Sequence, residues 1–134
     1  MVASPEGHLD SPTLHQSSAD GLSVRIRRTD SYAFVTLQGD LDVRSTAILT
    51  DKLRAPETDE PDVIVLDLRE LRFLDSTGIA LTLQANARAR EAGRRLVLIP
   101  GPPAVQRPFE LAALESVLEF RADGERLEEE LDAR

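Results

Sequence analysis

The chain has 134 residues, a formal net charge of −8, 41% hydrophobic residues and no cysteine. This length suits one domain, and the absence of cysteine excludes disulfides, thiolate metal sites and thiol nucleophiles. Because acidic residues outnumber basic ones 24 to 16, a direct complex with nucleic acid, which needs clustered positive charge, is not expected.

Residues 1–20 are rich in Ser, Pro, Asp and His and show no hydrophobic periodicity, which predicts a mobile tail. The segment has neither the basic start nor the apolar stretch of a signal peptide. No apolar run in the chain approaches the roughly 20 residues that span a bilayer. We therefore expect a cytoplasmic protein without a membrane partner, whose single domain occupies residues 21–134.

From residue 21 onward the hydrophobic pattern alternates between the periods of strands and helices. In chain order it predicts strand 22–27, strand 32–37, turn 39–42, helix 45–54, loop 55–61, strand 63–68, helix 76–92, strand 95–99, helix 104–113, edge strand 117–120 and a last helix after Asp123. An initial hairpin followed by βαβ units predicts an α/β fold, with a mixed four- to five-stranded sheet and about four helices.

Two helices leave questions that the sequence does not answer. Pro108 interrupts the helix at 104–113, so we expect either a kink or a helix that begins only at Pro108. The helix at 76–92 carries two opposed apolar stripes, and either could face the sheet. These stripes are Ile79, Leu83 and Ala87 on one side and Leu81, Ala85 and Ala92 on the other.

The tetrapeptide Asp75-Ser76-Thr77-Gly78 follows a buried strand at the start of a helix. Sites in α/β proteins lie at the carboxyl ends of parallel strands, and the free N–H groups of a first helical turn favour an anion. The tetrapeptide therefore suits simple helix capping as well as a phosphorylated Ser76, and the two interpretations are compatible.

Ser76 is a poor candidate for a hydrolytic nucleophile, since such a serine needs a positioned base. The only histidines, His8 and His15, lie in the predicted tail, and the one lysine is Lys52. Zinc prefers His and Cys ligands. We therefore expect a protein that is not an enzyme and that holds neither a metal nor a cofactor.

Three segments together resemble a known family. Residues 67–79, read as DLRELRFLDSTGI, resemble the central motif of the STAS domain, which is named for sulphate transporters and anti-sigma-factor antagonists. The turn 39–42 resembles the family's Gly-Glu-Leu-Asp turn, and 93–98 resembles its glycine-then-strand segment. The resemblance covers roughly residues 22–120 and implies a single STAS-like domain. It departs at Ala113, where the family often has glycine, and an alanine there carries a steric cost if φ is positive.

The resemblance implies an anti-sigma factor antagonist. The unmodified chain would bind an anti-sigma factor and so release a sigma factor. That anti-sigma factor would act as an ATP-dependent serine kinase on Ser76, and a separate phosphatase would reset the chain. The resemblance also implies a partner-binding face beside this serine, formed by Asp40, Asp42, Asp75, Thr77 and Gly78. The two acids of the turn equally suit solvation and capping. An alternative is a non-switching STAS-like subunit of another complex, in stress signalling or lipid transport.

Overall fold

The computed structural model describes the backbone of residues 13–19 and all atoms of residues 21–133. Its elements in chain order are β1 (Thr13–Ala19), β2 (Leu22–Arg28), β3 (Tyr32–Leu41), α1 (Thr46–Thr58), β4 (Val63–Leu74), α2 (Ser76–Glu91), β5 (Arg95–Ile99), α3 (Pro103–Leu111), a 3₁₀ turn (Leu114–Ser116), β6 (Glu119–Phe120) and α4 (Gly124–Asp132). The α/β class, the mixed sheet and the four helices agree with the sequence prediction.

The described strands form one sheet in the order β1-β2-β3-β4-β5-β6. The first two pairs, β1 with β2 and β2 with β3, are antiparallel, and the remaining three pairs are parallel. The predicted hairpin and the predicted parallel neighbours of the 63–68 strand are thus confirmed. That strand is buried throughout this run, because helices cover both faces of the sheet.

Strand β1 lies within the segment that the sequence assigns to a mobile tail. Thr13–Ala19 pairs with β2 along its whole length, from Thr13 opposite Arg28 to Ala19 opposite Leu22. Residues 1–12 and residue 20 lie outside the described residues. The sheet therefore begins at Thr13 and has six described strands, one more than the predicted upper count. In this segment apolar and polar residues do not alternate as they do in a half-buried strand, so the strand depends on its pairing with β2.

The sheet separates two hydrophobic clusters. On one face, α1, α2 and α3 contribute Leu49, Leu53, Leu81, Ala85, Val105 and Phe109 to the larger cluster. On the other face, Leu127 and Leu131 of α4 pack on Tyr32, Phe34, Val63, Val65, Val97 and Ile99. The predicted last helix is therefore confirmed, and each of its buried leucines contributes on the order of 1.5–3 kcal/mol.

Two helices continue through an internal proline, and the first of them ends four residues beyond its predicted end at residue 54. Helix α1 continues to Thr58 with Pro56 buried inside it. Helix α3 begins at Pro103, where a missing N–H costs nothing, and passes through Pro108, so a start at Pro108 is wrong. A proline inside a helix costs roughly 3 kcal/mol. The full burial of Val105 and Phe109 offsets this cost at about 1.5–3 kcal/mol each.

Candidate functional site

The carboxyl ends of β3 and β4 bring two polar loops together. The strands are parallel neighbours, with Leu41 opposite Leu74 at their ends. The Asp75 N–H donates to the Leu41 carbonyl at 3.3 Å. Strand β4 reaches Leu74, six residues beyond the predicted end, and this extension carries the 75–78 tetrapeptide to the same edge as the turn that follows β3.

Asp75 is the N-cap of α2. Its carboxylate accepts the backbone N–H groups of Thr77 at 3.0 Å and Gly78 at 3.3 Å, and the Thr77 hydroxyl donates to the same oxygen. The hydroxyl bond from Thr77 and these backbone bonds lower the pKa of Asp75, whereas the charge of nearby Asp42 acts in the opposite direction. The capping interpretation of the tetrapeptide is therefore confirmed for Asp75.

Ser76 is the first residue of α2, and its side chain is exposed. Within the described part of the chain, its hydroxyl takes part in no hydrogen bond, whereas the Thr77 hydroxyl is held by Asp75. The two adjacent hydroxyls therefore differ, since only that of Ser76 is free to meet an incoming group.

Gly78 is buried where α2 crosses the ends of β3 and β4. A Cβ atom at this position would lie 3.1 Å from the Leu41 carbonyl oxygen and 3.1 Å from side-chain carbons of Leu41 and Leu74. Such contacts are tighter than ordinary packing allows. Gly78 thus serves the close approach of the helix to the sheet, which sets the position of the Ser76 end.

A buried hydroxyl organises the turn between β3 and α1. Ser45 is fully buried, and its Oγ donates to the Asp40 carbonyl at 2.7 Å and accepts the Asp42 N–H at 3.0 Å. Ser45 precedes α1, but among the described hydrogen bonds its side chain makes no capping bond to that helix. Instead, Ser45 fixes the turn that carries both acids, a role that the sequence analysis missed because it depends on two backbone partners, one at the end of β3 and one just after it.

Each acid of this turn has an arginine partner that the sequence analysis also missed. Asp42 accepts the backbone N–H of Arg44 at 2.9 Å and its guanidinium at 3.3 Å. Partial burial alone would raise the pKa of Asp42, but these bonds from Arg44 lower it overall. Asp40 lies 3.4 Å from the Arg72 guanidinium. In the sequence, the position of Arg72 three residues before Asp75 could have suggested a role at the site. Exposed arginines beside motifs are common, however, so the position alone does not identify its partner.

Two exposed apolar side chains flank these charged groups. Val43 is 69% exposed and Phe73 is 48% exposed, and Phe73 lies opposite Asp40 in the β3–β4 register. Exposed large apolar side chains that cluster at one edge are typical of interaction surfaces. We name this edge the signature face; it consists of Asp40, Asp42, Val43, Arg44, Arg72, Phe73, Asp75, Ser76 and Thr77.

The structure also decides the orientation of α2. Its buried positions include Leu81 and Ala85, so the stripe through these residues faces the sheet. Ile79 and Leu83 of the other stripe are half-buried and pack against the same core. Ala87 and Ala92 are exposed. The second stripe is therefore largely used within the fold, and the exposed apolar atoms of the signature face come from the loops and from β4.

Residues 21–133 contain no group of three or more His, Asp or Glu side chains that could hold a metal ion. In the part of the chain that the structure describes, no helix is both long enough and apolar enough to cross a bilayer.

Comparison with known proteins assigns the chain to a family. The family model described as Mlab, STAS domain matches residues 24–119, which includes every residue of the signature face. The chain therefore belongs to the STAS domain family, and the resemblance found in the sequence is confirmed.

Individual relatives share about a quarter of their residues with this chain or fewer. The anti-sigma-B factor antagonist of Listeria monocytogenes is 26% identical over 101 residues, which cover 75% of this chain and 89% of the relative. Among solved structures, the anti-sigma factor antagonist SpoIIAA in its unphosphorylated form superimposes with a TM-score of 0.64 at 18% identity, covering 87% of this chain and 95% of SpoIIAA. The phosphorylated form of the Bacillus cell fate determinant SpoIIAA gives a TM-score of 0.59 at 17% identity, covering 87% and 98%. At these identities the two structures show a shared fold.

Proposed function

We propose that this protein is an anti-sigma factor antagonist that is switched off by phosphorylation of Ser76. In its unmodified form it binds an anti-sigma factor in the cytoplasm, which releases a sigma factor. The observation that carries this proposal is the free, exposed hydroxyl of Ser76 at the first residue of α2. Membership of the STAS family and similarity to the Listeria antagonist support it.

The phosphoryl transfer requires little of this chain. The anti-sigma factor acts as a serine kinase and supplies ATP and the catalytic base. Ser76 Oγ attacks the γ-phosphorus of ATP, a bond forms between them, the bond to the β-phosphate oxygen breaks, and ADP and the serine proton leave. The neighbouring Thr77 is the weaker acceptor, since its hydroxyl is bound to Asp75. A separate phosphatase reverses the change by hydrolysis.

The same geometry supports a switch based on charge. Phosphorylation adds about 1.5 to 2 negative charges at neutral pH, beside Asp75 and on the edge that also carries Asp40 and Asp42. A partner surface that had matched a neutral hydroxyl would then bury a charged group against like charges, which costs several kcal/mol. A loss of about 3 kcal/mol weakens binding more than a hundredfold. The exposed Val43 and Phe73 supply apolar contact area for the unmodified complex.

The test is a phosphorylation and binding assay with the anti-sigma factor of the same organism. Incubation with ATP should place one phosphate on the wild type and none on Ser76→Ala, and both unmodified proteins should bind with similar affinity. Ser116→Ala removes another exposed serine, in the 3₁₀ turn away from the signature face, and should be phosphorylated like the wild type. Full incorporation into Ser76→Ala would show that another residue is the acceptor.

Calorimetry separates a switch from a constitutive subunit. Phosphorylated wild type should bind the anti-sigma factor at least a hundredfold more weakly, and Ser76→Asp should reproduce part of that loss, because aspartate carries one charge and is smaller. Circular dichroism should show the same fold for each. Equal affinities of the three forms would overturn the switch and favour a non-switching subunit of another complex.

A further inference from the structure

The signature face holds two guanidinium groups whose pairing is weak enough to change. Arg72 is 74% exposed and lies 3.4 Å from Asp40, and Arg44 is 66% exposed and lies 3.3 Å from Asp42. Single ion pairs at a protein surface contribute about 0–1 kcal/mol, and here each guanidinium is exposed while its aspartate is partly buried. Neither arginine is therefore fixed by its present partner.

Both arginines lie at the edge of the sheet where α2 begins. Arg72 precedes Phe73, which is opposite Asp40 in the sheet register, and it is three residues before Asp75. Arg44 is two residues after Asp42, and Asp42 is close enough to Asp75 for its charge to act on the pKa of that carboxylate. On this edge two guanidinium groups face three carboxylates, so the unmodified face is already slightly negative. A phosphate on Ser76 would add further negative charge at the same edge of the sheet, next to Asp75.

We propose that Arg44 and Arg72 are phosphate-binding residues, each of which leaves its aspartate for the phosphate group once Ser76 is phosphorylated. This proposal rests on the proposed function for its biological setting, but the contact it describes is a property of this chain alone. Arginine binds phosphate through parallel charge-assisted hydrogen bonds, and a dianion attracts a guanidinium more strongly than a single carboxylate does.

The aspartates can lose their arginines without becoming buried, unpaired charges. The Asp42 carboxylate keeps the Arg44 backbone N–H at 2.9 Å when the guanidinium moves away. The Asp40 side chain is 28% exposed, so water can replace Arg72 there. The exchange therefore avoids the large penalty of stranding a charge in the interior.

This exchange moves positive charge from the aspartates to the phosphate, so phosphorylation changes the pattern of charge on the face as well as its sum. A partner that docks on the unmodified face meets aspartates that are partly neutralised by arginine. On the modified face, both arginines are held by the phosphate, so Asp40 and Asp42 present their charges without a cation. Phosphorylation at one residue thereby changes the electrostatic pattern at three positions.

The test uses protein with phosphoserine placed at position 76 during translation, so that no kinase is needed. The phosphate is titrated by ³¹P NMR in the wild type, Arg44→Gln, Arg72→Gln and the double variant. Neighbouring positive charge favours the dianion, so each substitution should raise the titration midpoint, and the double variant should raise it by about half a pH unit. The Arg44→Lys and Arg72→Lys variants should retain part of the effect.

Arg90→Gln is the matched control, because Arg90 is an exposed arginine near the opposite end of α2. It should leave the midpoint unchanged. A double variant that titrates like the wild type, or an equal shift in Arg90→Gln, would overturn the proposal. Because the phosphate is installed directly, this result does not depend on whether an anti-sigma factor modifies Ser76. Failure of the kinase assay would count against the proposed function alone.

Discussion

Ala113 has a left-handed backbone conformation, with φ of 56° and ψ of 34°, and its side chain is exposed. This is the position at which the sequence departs from the glycine of the resemblance, and the positive φ gives the physical reason for a glycine there. The Cβ atom of an L-residue in this region costs roughly 1–2 kcal/mol. Replacement by glycine removes that strain but loses about 0.5–1 kcal/mol to the greater freedom of the unfolded chain.

The Ala113→Gly variant should therefore be more stable than the wild type by about 0.5–1 kcal/mol. No buried contact is lost, since the methyl group is exposed. For a domain of this size the gain corresponds to a rise of roughly 2–5 °C in Tm, measured by differential scanning calorimetry at neutral pH.

The neighbouring alanine provides a matched control. Ala112 is also exposed, but its φ is −90°, so glycine brings no relief there and only the entropy loss remains. Ala112→Gly should lower the free energy of unfolding by about 0.5–1 kcal/mol. If both variants lower Tm to the same extent, the strain assigned to Ala113 does not exist and the reasoning is wrong.

Three further predictions follow from the fold and the site. Asp75→Ala should destabilise the protein by about 1 kcal/mol at neutral pH. Because the folded-state pKa of Asp75 is lowered, this contribution is present above the ordinary aspartate pKa and should vanish as the pH falls through the folded-state value. Urea titrations across that pH range would test this dependence. Gly39→Ala should cost about 2 kcal/mol or more, since φ is +106° and the new Cβ would lie 2.1 Å from the Gly21 carbonyl oxygen; a Tm within 1 °C of the wild type, within the accuracy of calorimetry, would contradict this. Deletion of residues 1–20 should lower Tm more than deletion of residues 1–12, because the longer deletion removes β1 and its pairing with β2; equal Tm values for the two truncations would show that β1 contributes nothing to stability.

Local patterns in the sequence determined most of the elements and the place of the signature. The strand at 63–68 and the helix after Asp123 could be predicted, because the spacing of apolar residues along the chain shows which face of an element is buried. Gly93 lies just after α2 and has a φ of +75°; glycine is common where helices end, so this boundary also follows from a local preference. The position of Ser76 at a helix start was likewise readable, because an acidic N-cap precedes it.

The tertiary structure decided the features that depend on distant partners. The strand formed by Thr13–Ala19 exists because β2 offers a free edge, and helix α3 tolerates Pro108 because the core accepts its buried side chains. The pairing of Asp40 with Arg72, and the approach of Asp42 to Asp75, arise from the parallel register of β3 and β4. These residues are some 30 positions apart in the chain, and no local period links them. Sequence could therefore locate the serine, whereas only the sheet could assemble the charged and apolar face around it.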